Sequence, residues 1–113
     1  MKIVSLADVP EEGVSHNPEI RKRVLIRRGE LPRLISFSRA VLKPGQAAAA
    51  HSHADIFEVF FVEAGAGTIR AGGAEARLEA GACVTVGPGE EHEIINTGTS
   101  ELVLVYFGLE AGR

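Results

Sequence analysis

A chain of 113 residues lies in the size range of one compact domain, and 45% hydrophobic with 24% charged residues is ordinary for a globular protein, which excludes a disordered or fibrous class. A formal net charge of −3 argues against a nucleic-acid partner. No stretch is long and apolar enough to span a bilayer, the opening MKIVSLADVPEEG is interrupted too early for a secretory signal, and one cysteine, Cys83, permits no internal disulfide, so a cytoplasmic protein with no membrane partner is expected.

In chain order, residues 1–20 read as an N-terminal extension. ADVPEEG and SHNPEI look like irregular connections, KIVSL is expected to be a short strand, and His16 is expected at the surface. Residues 21–113 are expected to form a single domain. Arg21, Lys22, Arg23, Arg27 and Arg28 make a locally basic segment, read as a solvated edge strand because charge on an edge blocks unwanted pairing. From Val24 onward, short β-like runs succeed one another: VLIRR, LISFSRAVL, FEVFFVEA, GTIRA, EARLEA, CVTV, HEIIN and ELVLVYFGL. Each is bounded by turn-forming residues, as in LKPG, EAGAG, AGGAE and GPGEE. The alanine run 47–50 favours a helix, but four residues after Pro44-Gly45 are too few to nucleate one, so it is expected to be extended.

Many short strands in a small domain predict an all-β fold, a sandwich or an antiparallel jelly-roll-like β-barrel, between which the pattern alone does not choose. On the run starting at Ile56, alternation sends Ile56, Glu58, Phe60 and Val62 one way and Phe57, Val59, Phe61 and Glu63 the other. Both faces are mostly apolar, so one should fill the domain interior and the other should meet a second sheet or a partner subunit. Cys83, in ACVTV, is expected as a small buried hydrophobe.

The carboxylate of Glu58 stands in an otherwise apolar run. Burying it ionised is costly unless a cation or metal offsets the charge. His51 and His53 leave the same face of an extended segment, roughly 7 Å apart at Cα, and a turn or bulge at Ala54-Asp55 is needed before Glu58 can join them. His92, opening the strand HEIIN, supplies a third imidazole.

These offsets resemble the two motifs of the cupin family of small β-barrels. Gly45, His51, His53, Glu58 and Gly65 match every element of the first. Gly81, Gly89, His92 and Asn96 match the second, in which Gly87 stands where the family has proline, with Pro88 next to it. The resemblance covers residues 45–96 and implies a cupin barrel with His51, His53, Glu58 and His92 as metal ligands, and Asn96 as a structural residue tying down a turn. A set of imidazoles and a carboxylate without thiolates suits one divalent transition metal per chain: iron, manganese, nickel, cobalt, copper or zinc. Ala47, Ala49, Ile56, Phe60, Val62 and Ile94 share the ligands' face and are expected to line the pocket, with Arg39 a candidate partner for an anionic group. Glu90, Glu91 and Glu93 are expected at the rim. The resemblance implies a metal-dependent enzyme acting on a small organic molecule, with a dioxygenase as one class. The alternative is a non-catalytic cupin that binds or senses a small molecule or metal. A homodimer involving residues 21–39 is expected.

Overall fold

The computed structural model describes residues 1–15 and 17–112; His16, Arg113 and the side chains of Ala49, Ala50 and His51 lie outside the described residues. Among the described residues ten strands follow a 3-10 turn at Leu6–Asp8: β1 (Glu11–Val14), β2 (Asn17–Ile26), β3 (Leu34–Leu42), β4 (Ala47–His51), β5 (Ile56–Ala64), β6 (Ala66–Ala71), β7 (Ala74–Glu79), β8 (Cys83–Val86), β9 (His92–Ile95) and β10 (Leu102–Glu110). They form a six-stranded sheet ordered β1-β2-β3-β10-β5-β8 and a four-stranded sheet ordered β4-β9-β6-β7. All pairings are antiparallel. This is the expected all-β jelly-roll fold, two sheets closing over one core. No helix among the described residues is long and apolar enough to cross a membrane.

The core follows from alternation. Ala40 and Leu42 on β3, Phe60 and Val62 on β5, Leu102 and Leu104 on β10, Ile69, Leu78, Val86 and Ile94 all turn inward and are buried. Each such Leu, Ile, Val or Phe contributes about 1.5–3 kcal/mol of transfer free energy. The chain passes between the sheets where β5 hands over to β6 at Gly65. Its φ is +86°, and a Cβ there would stand 2.2 Å from the carbonyl oxygen of Glu101. Only glycine satisfies both the left-handed backbone and this close approach. The other three motif glycines, Gly45, Gly81 and Gly89, also have positive φ, at +86°, +94° and +75°.

Three expectations are corrected. KIVSL forms no strand; β1 and the start of β2 occupy instead EEGV and NPEI, where the sequence suggests irregular connections. The basic segment is not an edge, because β2 lies between β1 and β3. Three of its five cations are matched by acids of β1: Arg27 Nη2 is 2.6 Å from Glu12 Oε2, and Arg21 and Arg23 each approach Glu11 at 3.8 Å. Cys83 is exposed, since on the sheet-edge strand β8 the even residues 84 and 86 turn inward and the odd ones outward.

Candidate functional site

The inner faces of both sheets enclose a cavity of about 330 Å³. Among the residues around it are His53, Glu58 and His92, with Ile56, Phe60 and Ile94. Backbone hydrogen bonds bring the two motif segments together. Gly89 N donates to His53 O at 2.7 Å, fastening the tight bend at 87–90 to the segment before the Ala54-Asp55 turn, and Ala111 N donates to Asp55 O at 2.7 Å. Glu90 holds the bend from within, its Oε1 accepting from Gly87 N at 3.0 Å.

Across the cavity, Glu58 Oε1 lies 3.0 Å from His92 Nε2, and the His92 side chain is only 2% exposed. His92 Nδ1 is 3.0 Å from the Glu90 carbonyl oxygen, which can only accept, so Nδ1 carries a hydrogen. In the neutral ring Nε2 then presents a lone pair to a carboxylate oxygen, an arrangement that is repulsive as it stands. Either a proton on Nε2 or a cation between the two groups relieves it. Burial disfavours the charged imidazole, but the hydrogen bond to Glu58 and that to the Glu90 carbonyl, together with the charges of both acids, outweigh it and raise the His92 pKa above its ordinary value. The chemistry of this pair fits a metal cation. The fixed Nδ1–H···O=C bond is the kind that orients a ligating imidazole.

His51 lies on β4 opposite His92 in the β4–β9 ladder. Its side chain, like that of Ala49, lies outside the described residues. Among the described residues no three of His, Cys, Asp and Glu are grouped to hold an ion. His53 also borders a second recess, at the mouth, with Arg28, Asp55 and Glu110.

The lining differs from expectation in ways that the strand geometry explains. Ala48, not Ala47, lines the cavity, because the β4–β9 register slips between Ala48 and His51: three residues of β4 span two of β9. Such a bulge reverses the alternation on which the expectation rested. Val62 turns inward but is wholly buried in the core and is not among the residues lining the cavity. Arg39 is not in the cavity; it makes a paired ion bridge with Glu63, Nε to Oε1 at 3.1 Å and Nη2 to Oε2 at 2.8 Å, on the other face of the sheet. Of the rim acids, Glu93 approaches Arg70 at 3.4 Å, while Glu90 serves His92 through its backbone carbonyl.

Sequence reasoning missed several cavity residues, notably Lys22, Ser36, Tyr106 and Gly108. The alternation on β3 and β10 carries the signal, once the face of one residue on each is known. Tyr106 stacks on Phe60, ring centroids 5.6 Å apart, and Phe60 tilts against His92 at 5.8 Å. Burial pushes the Tyr106 phenol up to about 12, against a smaller opposing pull from the Ser38 hydroxyl, so it stays protonated. Asn96, 1% exposed, donates from Nδ2 to the carbonyls of Leu42 at 2.8 Å and Ser100 at 2.9 Å, and its Oδ1 accepts from Gly98 N at 2.9 Å. It thereby joins the turn after β3 to the turn after β9.

Comparison with known proteins agrees with this architecture. Residues 38–108 match the family model described as the cupin domain. Over 66 residues the chain is 33% identical to the oxalate-binding protein of Thermotoga maritima, a stretch covering 58% of this chain and 54% of that relative, so the match spans about half of the relative's length. Among solved structures, a predicted oxalate decarboxylase of Thermotoga maritima superposes with a TM-score of 0.90 at 24% identity, covering 96% of this chain and 99% of that one. The Cnp3 cupin domain of Schizosaccharomyces pombe superposes with a TM-score of 0.79 at 15% identity, covering 94% and 72%. At these identities the two structures show a shared fold.

Proposed function

This chain belongs to the cupin domain family, and we propose that its barrel holds one divalent transition metal on His51, His53, Glu58 and His92 and uses it to bind a small carboxylate-bearing organic molecule. The observation that carries this reading is the facing of Glu58 Oε1 and His92 Nε2 at 3.0 Å, two groups whose ordinary charge states call for a cation between them. Bound there, the ion would supply Lewis-acid polarisation of a carboxylate oxygen. The protein's own part is to fix the imidazole through Glu90, to wall the cavity with Phe60, Ile56, Ile94 and Leu104, and to offer the protonated Tyr106 phenol as a donor. The oxalate-binding relative supports a carboxylate as the ligand class.

Cobalt(II) titration followed in the visible range tests the reading. One ion per chain is expected, with a spectrum that shifts on adding acetate or oxalate. Glu58→Gln and His92→Ala should each weaken uptake at least tenfold. Cobalt uptake that is absent, or unchanged in both variants, would overturn the reading.

A second reading, turnover of the bound molecule by an oxygenase, isomerase or lyase route, is favoured by the position of Tyr106, whose phenol brings a proton donor into the same cavity as Glu58 and His92. Dioxygen uptake or substrate loss across a panel of small carbonyl, enol and thiol compounds supports it; none with the iron-loaded protein leaves the binding function alone.

A further inference from the structure

Lys22 is a cation on an inward-facing row. On β2 it shares a face with the buried Ile20 and Val24, its ladder partner is the buried Ala40, and it lines the cavity with Ile20, Ala40 and Leu104. Among the described residues no carboxylate lies within ion-pair distance of its ammonium. Glu12, which faces it across the β1–β2 ladder, is committed to Arg27 at 2.6 Å. A half-buried lysine on a cavity wall, with the acid opposite it on β1 engaged elsewhere, is arranged to receive an anion from the cavity.

Its position bears on the size of that anion. β2, β3, β10 and β5 are consecutive in the sheet, so Lys22 and Glu58 stand three strand spacings apart. At about 4.8 Å per spacing their backbones are on the order of 14 Å apart. They are also offset along the strands, because the register row of Lys22 runs through Ala40 and Leu104 to Val62, whereas that of Glu58 runs through Gly108 to Ser36. Side chains converging over a concave face shorten this gap, but not to the single carbon–carbon bond of roughly 1.5 Å that joins the two carboxylates of oxalate. Between the two ends the wall is apolar, formed by Phe60, Ile94 and Leu104.

We propose that the cavity takes a small organic dianion longer than oxalate, with one carboxylate at the Glu58–His92 end, a methylene spacer along the apolar wall, and the second acidic group received by Lys22. The assignment rests on the metal-binding reading above for its first end, while Lys22 supplies the second independently.

Calorimetric titration of the metal-loaded protein with oxalate, malonate, succinate, glutarate and adipate, each set against the monocarboxylate of the same length, tests it. In the wild type one of the longer dianions should bind at least tenfold tighter than its monoanion and tighter than oxalate. Lys22→Met, which keeps the aliphatic stem, should abolish that preference, Lys22→Arg should restore most of it, and metal content should be equal in all three. A preference that persists in Lys22→Met, or a wild type that favours oxalate or ignores the second charge, overturns the proposal. If the protein takes up no metal, the metal-binding reading fails by itself. The same series on the metal-free protein then decides the Lys22 site: a dianion preference lost in Lys22→Met upholds it, and no preference removes it.

Discussion

The ring of Tyr106 lies nearly parallel to that of Phe60, centroids 5.6 Å and planes 24° apart, and Phe60 in turn lies against the His92 imidazole at 5.8 Å. It therefore sets the spacing of two polar groups that cross-strand pairing alone would leave free to rotate. Phe60 is 7% exposed and belongs to the main core cluster. Phe60→Ala should cost about 3–5 kcal/mol of unfolding free energy in urea. Phe60→Leu should cost less, and should still reduce cobalt affinity because the imidazole loses its neighbour. Unchanged affinity in a folded Phe60→Leu protein would remove the positioning role.

The raised pKa of His92 fixes the sign of a pH dependence in metal-free protein. Its folded value lies above the ordinary 6.5, so the stabilisation from the Glu58–His92 pair is fully present below pH 6.5 and is lost as pH rises through the folded value. Urea midpoints of the metal-free wild type should thus fall on going from pH 6 toward pH 8 more steeply than those of His92→Gln. Metal uptake should run the opposite way, because the proton on His92 competes with the ion. Parallel slopes for the wild type and variant would contradict this.

Asn96 is predicted to act on stability and not on ligand choice. Asn96→Ala leaves the Leu42 and Ser100 carbonyls and the Gly98 N–H without their partner, in a place where water does not reach the first of them. A loss of about 2–4 kcal/mol is expected. Chemical denaturation gives this number, and a loss below 0.5 kcal/mol would show that solvent replaces the bonds.

The outer face of the six-stranded sheet predicts self-association. Phe57 and Phe61 on β5 and Leu109 on β10 remain 40%, 44% and 39% exposed, and Phe37, Phe107 and Val59 continue the row through β3 and β10. A homodimer covering this face, which includes the outward residues of β3, is expected by light scattering. Phe61→Glu should shift it toward monomer without lowering cobalt uptake. A monomeric wild type at micromolar concentration would refute the expectation.

Much of the fold was legible in the sequence because strand rhythm and turn residues are local signals. The runs from LISFSRAVL to ELVLVYFGL correspond to β3 and β5–β10. What failed to read through was relational. The bulge in β4 swaps Ala47 for Ala48, and only the partner strand reveals it. From the sequence the basic segment reads as an edge because the acids that answer it, Glu11 and Glu12, lie on a strand too short and too polar to stand out. Arg39 and Lys22 carry similar charge on neighbouring strands, yet they emerge on opposite faces of one sheet; register, which no single strand contains, makes the difference. The candidate ligands stood out for another reason, since three imidazoles and a carboxylate at fixed offsets are a chemical pattern that survives ignorance of the fold. Tyr106 and Gly108 carry no such mark.

The bond from Gly89 N to His53 O has a consequence for how the protein comes into being. It joins the segment leading into β5 to the bend before β9, and the residues that follow β10 close on Asp55 in turn. During synthesis, a nascent chain that has passed β5 holds His53 and Glu58 but neither the bend nor His92. The polar end of the cavity thus needs β9 as well as β5 and cannot be complete before the ninth strand has emerged, and the wall between β3 and β5 waits for the tenth.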